Sequence, residues 1–145
     1  CVAVLHPLAT PRRREAACAE CCRVLRPGGR ALFYAWAQEQ ERGADAGVSG
    51  HRFPAQDVLV PFHVPTGALQ SGAPAAAAAP GAAPELPAGA TLDEGKGAVV
   101  FQRYCHVYCD GELEALLAPL VTAGVAVVDA TWYDRGNWCL VARRL

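Results

Sequence analysis

Residues 22–36, CRVLRPGGRALFYAW, decide the fold. Pro27 cannot continue a helix, Gly28 or Gly29 can take the left-handed conformation that ends one, and the apolar run 31–36 has the length of a strand. The stretch therefore predicts the last turn of a helix, a tight reversal and a buried strand. Upstream, Thr10 is an N-cap candidate with Pro11 at the first helical position. Ala16, Ala17, Cys18, Cys21, Cys22 and Leu25 recur near helical spacing, which leaves Arg12, Arg13, Arg14, Glu15, Glu20 and Arg23 to face water. Residues 1–6, CVAVLH, are apolar up to the histidine, as a strand buried on both faces and ending in a polar tip would be. Strand, helix, turn and strand make a βαβ unit, for which a parallel pair is the economical arrangement. The predicted class is thus α/β, and His6 marks the carboxyl edge where an open α/β sheet places a ligand.

Residues 38–97 change character. A polar start, QEQERGADAG, leads to a small apolar island, DVLVPFHV at 57–64, and then to SGAPAAAAAPGAAPELPAGA. Alanine favours helix, but prolines 74, 80, 84 and 87 interrupt every turn, and side chains this small bury too little to offset the entropy of ordering. Residues 38–52 and 65–97 are therefore expected to be mobile, and the island to dock on the domain. Order is predicted to resume at Ala98. In VVFQRYCHVY, alternation puts Phe101, Arg103, Cys105 and Val107 on one side and Gln102, Tyr104, His106 and Tyr108 on the other. Asp110 is an N-cap candidate for a helix over 111–122 ended by Gly124, with Pro119 threatening its last turn. Residues 125–133 and 138–141 then read as two strands joined by the polar turn Asp134, Arg135, Gly136 and Asn137, an antiparallel hairpin.

Composition sets the bounds. A chain of 145 residues, 52% hydrophobic, allows one domain with one core. It holds no methionine and starts inside an apolar run, which predicts a fragment lacking an upstream part, or else a processed mature chain. No run approaches the roughly 18 apolar residues of a transmembrane helix, so a soluble protein is expected. The seven cysteines lack the regular spacing of a secreted disulfide scaffold and read as free thiols in a reducing compartment. Residues 1–37 carry six Arg against two Glu, whereas the whole chain has a net charge of -1. A basic first segment can face phosphate, but this is no strongly cationic nucleic-acid binder. Cys105 and Cys109 form no second knuckle of sound spacing with Cys18 and Cys21, so no metal site is expected.

The order strand-His, helix, VLRPGG, strand, helix and hairpin resembles the C-terminal half of a class I S-adenosylmethionine-dependent methyltransferase. More specific are YAWAQEQ at 34–40, QDVLVPFH at 56–63, RYCHVY at 103–108 followed by GELE at 111–114, and YDRGNWC at 133–139. These look like the methyltransferase domain of the AlkB-homologue and yeast-type tRNA methyltransferases, which methylate carboxymethyluridine at the wobble position. The resemblance implies a Rossmann-like sheet of parallel strands with a terminal antiparallel hairpin and a long disordered insertion. Residues 1–37 and 98–145 would form a partial methyltransferase domain, and 38–97 the insertion with a docked segment at 56–64. It further implies S-adenosylmethionine as cofactor, tRNA as partner, a small zinc-binding activator protein, no membrane, and a cytoplasmic address with the nucleus as a second. The glycine-rich cofactor loop and the acidic residue that grips the ribose are absent, and Pro7 follows His6 where the family tends to have a second histidine.

A carboxylate with a pKa near 4 is already ionised at neutral pH, so such a methyl acceptor needs no general base, only placement and exclusion of water. Positioning groups and aromatic walls are what to look for. The resemblance puts Val4 and His6 beside the cofactor, Arg103, Tyr104 and His106 at the catalytic centre, and Trp36, Tyr133 and Asn137 against the substrate. Each has a plainer reading. His6 suits a strand-end histidine bonded to a loop, Arg103 a structural ion pair, Trp36 a core residue and Asn137 its turn. A regular strand cannot aim both Arg103 and Tyr104 into one cleft. Two rival functions remain: a noncatalytic module docking through the island, and a methyltransferase with another substrate.

Overall fold

The computed structural model describes residues 1–40, 52–67, 86 and 88–145, and the predicted mobility of 41–51 and of most of 68–87 lies outside them. The chain divides into two units, residues 1–58 with 104–145, and residues 59–103.

In the first unit, helix α1 (Pro11–Val24) starts where the sequence places it, with Thr10 Oγ1 accepting from Arg13 N at 3.3 Å and Pro11 in the first turn. The reversal that follows is held by strand β6 (Asn137–Arg144). Gly28, at φ 76°, donates its N–H to Arg144 O at 2.9 Å, and the Arg144 guanidinium caps the carbonyls of Arg23 and Leu25. Strand β1 (Arg30–Trp36) then runs antiparallel to β6, pairing Phe33 with Leu140 and Trp36 with Asn137. Strand β5 (Ala126–Asp134) takes the other edge of β6, also antiparallel, so the sheet order is β1-β6-β5. Arg135 and Gly136 both have positive φ, the primed turn that matches the twist of a two-residue hairpin. At the irregularity between Val128 and Ala130, Asp129 accepts from Arg30 and Arg143 at 2.9 and 3.1 Å.

The expected parallel, Rossmann-like α/β sheet is therefore corrected: β1, β5 and β6 are antiparallel. The reason is the hairpin. Its tight turn sends β6 back along β5, and the free edge of β6 then claims β1. Parallel contact among the described residues is confined to two isolated bridges, Val2 with Tyr34 and Ala37 with Tyr108. Residues 1–6 make no full strand either. Ala3 takes φ 57°, and Val2 and Val4 are exposed while Leu5 and His6 are buried.

Helix α2 (Glu112–Thr122) is capped by Gly111 at φ 80°, not by Asp110, and passes through Pro119 to Thr122. It packs beside α1. Leu113 and Leu117 join Leu5, Cys18, Phe33, Tyr108, Trp138 and Leu140 in one core. All seven cysteines are free thiols, and burial pushes Cys18 up to about 12 and Cys139 to about 11, so neither is a ready nucleophile at neutral pH.

Strands β2 (Asp57–Pro65), β3 (Thr91–Asp93) and β4 (Ala98–His106) form a second sheet, ordered β2-β4-β3 with β3 antiparallel to β4, and residues 59–103 of it belong to the second unit. Residues 91–93, which follow the alanine-rich stretch and were expected to be mobile, are thus part of a sheet. Asp93 Oδ1 accepts from Lys96 N at 3.1 Å, closing the turn between β3 and β4. No helix among the described residues is long and apolar enough to cross a membrane.

Candidate functional site

The end of β4 is a junction of three other segments of the first unit. His106 N donates to His6 O at 2.8 Å, Val107 N to Gln56 O at 2.7 Å and Tyr108 N to Trp36 O at 2.8 Å. This backbone weave sets the side chains. The His106 ring is 6% exposed, with Nδ1 2.9 Å from Asp57 Oδ1 and Nε2 2.6 Å from Glu112 Oε1. Glu112, at the start of α2, uses its other oxygen to accept from Gln56 Nε2 at 2.6 Å and from Cys109 N at 3.0 Å. The Tyr104 hydroxyl donates to the same Asp57 Oδ1 that His106 meets.

Charge follows from these contacts. Burial pulls the His106 pKa down, but the bonds from Glu112 and Asp57 outweigh it and the net shift is upward. Asp57 is held below its usual range by Tyr104 first and His106 second. Glu112 is raised by burial and lowered more by His106 and the Cys109 N–H, ending below its usual value. With both ring nitrogens facing carboxylates, the imidazolium form is favoured. Arg14 lies against this group. It is 6% exposed and donates to Leu8 O at 3.0 Å, while the Tyr104 hydroxyl also lies 3.4 Å from Ala9 O. Tyr108 packs edge-on to His106 at 5.0 Å, its buried hydroxyl without a hydrogen-bond partner among the described residues and its pKa pushed up by burial.

Of the residues picked from sequence, the structure brings Tyr104 and His106 together through Asp57. Arg103 belongs to the second unit, where its guanidinium lies 5.3 Å over the Phe62 ring. His6 and Trp36 stack at 4.9 Å and 18°, and Phe53 stacks on Trp36 at 5.9 Å. Val4 is 48% exposed. Tyr133 donates to Glu39 O at 2.6 Å, and Asn137 Nδ2 is shared among Asp134 O, Arg135 O and the Tyr34 hydroxyl at 3.1 to 3.2 Å. Both thus serve the hairpin and the chain leaving β1.

That exit is clamped by Gln40, whose Nε2 donates to Ala37 O at 2.6 Å and Gly136 O at 2.9 Å. A Cβ on Gly136, at φ 81°, would stand 2.5 Å from Gln40 Oε1. Gly136→Ala is expected to cost about 2 kcal/mol through left-handed strain and the displaced clamp. A urea midpoint unchanged from the parent chain would contradict this.

Sequence reading missed Asp57, Glu112, Gln56 and Arg14. Glu112 was visible as a helix-start carboxylate and within the GELE of the resemblance, and Arg14 only as a solvated charge. For Gln56 and Asp57 the signals were the head of the apolar island and the QDVLVPFH motif of the resemblance, neither of which gave them a role.

A methyl-donating sulfonium nucleoside needs a wall for its base and acceptors for its ribose hydroxyls. Here the His6 ring is covered by Trp36, and Glu39, the carboxylate past β1, is engaged by the Trp138 indole at 3.1 Å. A groove of about 270 Å³ is lined by Arg12, Glu15, Leu116 and Pro119, from the two helices, and by none of these residues. The described residues do not make a site for the donor by themselves.

No family model matches the chain. It is 33% identical, over 99% of its length, to the tRNA (carboxymethyluridine(34)-5-O)-methyltransferase alkbh8 of Xenopus tropicalis, and spans 26% of that protein. It is 34% identical over 99% of its length to the tRNA (carboxymethyluridine(34)-5-O)-methyltransferase of Schizosaccharomyces pombe, spanning 54% of it. A protein of the same name from Arabidopsis thaliana is 39% identical over 61% of the chain, which spans 20% of it. The chain belongs to the family of tRNA (carboxymethyluridine(34)-5-O)-methyltransferases, of whose vertebrate members it spans about a quarter of the length.

Proposed function

We propose that the chain is part of a methyltransferase that esterifies the carboxylate of 5-carboxymethyluridine at the wobble position of tRNA, and that it contributes groups on the acceptor side. The observation that carries this is similarity along 99% of the chain to proteins named for that reaction. S-adenosylmethionine is the donor the resemblance implies; when bound it supplies an electrophilic methyl group on sulfur. The resemblance also suggests a small zinc-binding activator as partner, and the cytoplasm or nucleus as the place of action.

The network at His106 suits such chemistry. An imidazolium with both nitrogens facing carboxylates is a poor general base, and an ionised acceptor needs none. What these residues do is orient. Glu112 fixes the ring, and Gln56 and the Cys109 N–H fix Glu112.

The test is a graft. This chain replaces the matching segment of the fission-yeast relative, and labelled methyl transfer to anticodon stem–loop RNA is measured. A base-labile methyl ester is expected on RNA carrying 5-carboxymethyluridine and none on its uridine counterpart. A graft that binds donor and RNA yet esterifies neither would overturn the reading.

A further inference from the structure

Two donors converge on one carboxylate oxygen at the edge of the network. The Tyr104 hydroxyl and His106 Nδ1 both meet Asp57 Oδ1, the latter at 2.9 Å. The donors are fixed from behind. His106 is buried and held on Nε2 by Glu112 at 2.6 Å, while the Tyr104 hydroxyl has the backbone oxygen of Ala9 as its other neighbour at 3.4 Å. The acceptor is not fixed in this way. Asp57 is the first residue of β2 and its side chain is 65% exposed, so withdrawing it uncovers little apolar surface and costs little packing.

We propose that the Tyr104 hydroxyl and His106 Nδ1–H form a receptor for one oxygen of a ligand carboxylate, and that Asp57 fills it in the ligand-free chain as an internal stand-in. Three physical points carry the inference. Preformed donors aimed at one point bind an anion without reorganising, and charge-assisted bonds of this type are the strong ones. Glu112 remains on Nε2 when Asp57 leaves, so the ring stays cationic for the incoming anion. A carboxylate held through one oxygen keeps the lone pairs of its other oxygen for attack, which is what an acceptor of a methyl group requires. Naming the ligand as the carboxymethyl group of the modified uridine rests on the function proposed above; the receptor itself rests on the geometry alone.

The experiment uses this chain, with NMR following the His106 ring signals and titration following RNA binding. Acetate is the first probe. In Asp57→Asn, whose uncharged side chain yields more easily, acetate is expected to shift the His106 signals, and Tyr104→Phe in that background is expected to weaken the response about tenfold. Correct folding is read from the retained His106–Glu112 signature. Acetate that leaves His106 unmoved in folded Asp57→Asn overturns the receptor, as does a response indifferent to Tyr104. The second probe is paired stem–loop RNAs with 5-carboxymethyluridine or uridine. Asp57→Asn is expected to bind the carboxymethylated RNA several-fold tighter than the parent chain does, with the uridine RNA unchanged. Acetate binding with no preference between the RNAs would sustain the receptor and overturn the assignment of its ligand, while the proposed function stands or falls with the graft. A preference for the modified RNA that ignores Asp57 and Tyr104 would overturn the receptor and leave the function standing.

Discussion

Replacing His106 with alanine is expected to cost about 3 kcal/mol of unfolding free energy at pH 6. The loss falls on Glu112, which stays largely buried as an anion after its cation has gone; the Gln56 and Cys109 bonds remain and keep the cost at the low end for a broken buried pair. Asp57 adds little, because water replaces the ring at an exposed carboxylate. The sign of the pH dependence follows from the folded-state shifts. His106 is raised above its usual 6.5, so its contribution is complete below that value and lost as pH climbs through the folded pKa. Asp57 and Glu112 are lowered, so theirs is present above their ordinary values and lost as pH falls through the folded ones. Urea denaturation of parent and His106→Ala at pH 6 and pH 9 checks both claims. The gap between them should shrink at pH 9, and an equal gap at both would mean that the ring stabilises by packing and not as a cation.

The elements that local chemistry determines were legible in the sequence. Thr10 and Pro11 begin α1, the Pro-Gly-Gly reversal ends at the strand containing Phe33, and the Arg135-Gly136 turn makes the hairpin. Each is settled within a few residues. What could not be read was which edge meets which. Nothing local in residues 30–36 says that β6, more than 100 positions later, takes the edge that a parallel neighbour was expected to fill. The same limit governed the site. Alternation along β4 correctly put Tyr104 and His106 on one side, but Asp57 lies 49 residues before His106 and no spacing connects them. Arg14 followed the helical pattern of a solvent-facing residue and is buried because a carbonyl from the preceding loop, Leu8 O, receives it. The composition of residues 65–97 argued against order, yet Thr91–Asp93 pairs with β4, since backbone bonding asks little of side chains.

Phe33→Ala is expected to cost about 4 kcal/mol, the transfer term of a buried aromatic ring plus the cavity it leaves. Phe33 is fully buried at the centre of β1, opposite Leu140, and belongs to the cluster that Leu5, Cys18, Leu113 and Leu117 complete beneath the helices. Neither helix can settle into the gap without pulling away from the sheet, so relaxation recovers little of the loss. The effect should reach the site, because β1 ends in Trp36, whose carbonyl accepts from Tyr108 N, and His106 is two residues back along the same segment. Loosening β1 therefore loosens the frame that keeps the ring between its two carboxylates. The His106 pKa, followed by NMR, should fall back toward its ordinary value in Phe33→Ala even where most of the chain remains folded. A destabilised variant with an unmoved His106 pKa would show instead that Gln56, Glu112 and Asp57 hold the ring without help from the core, making the network a rigid unit of its own.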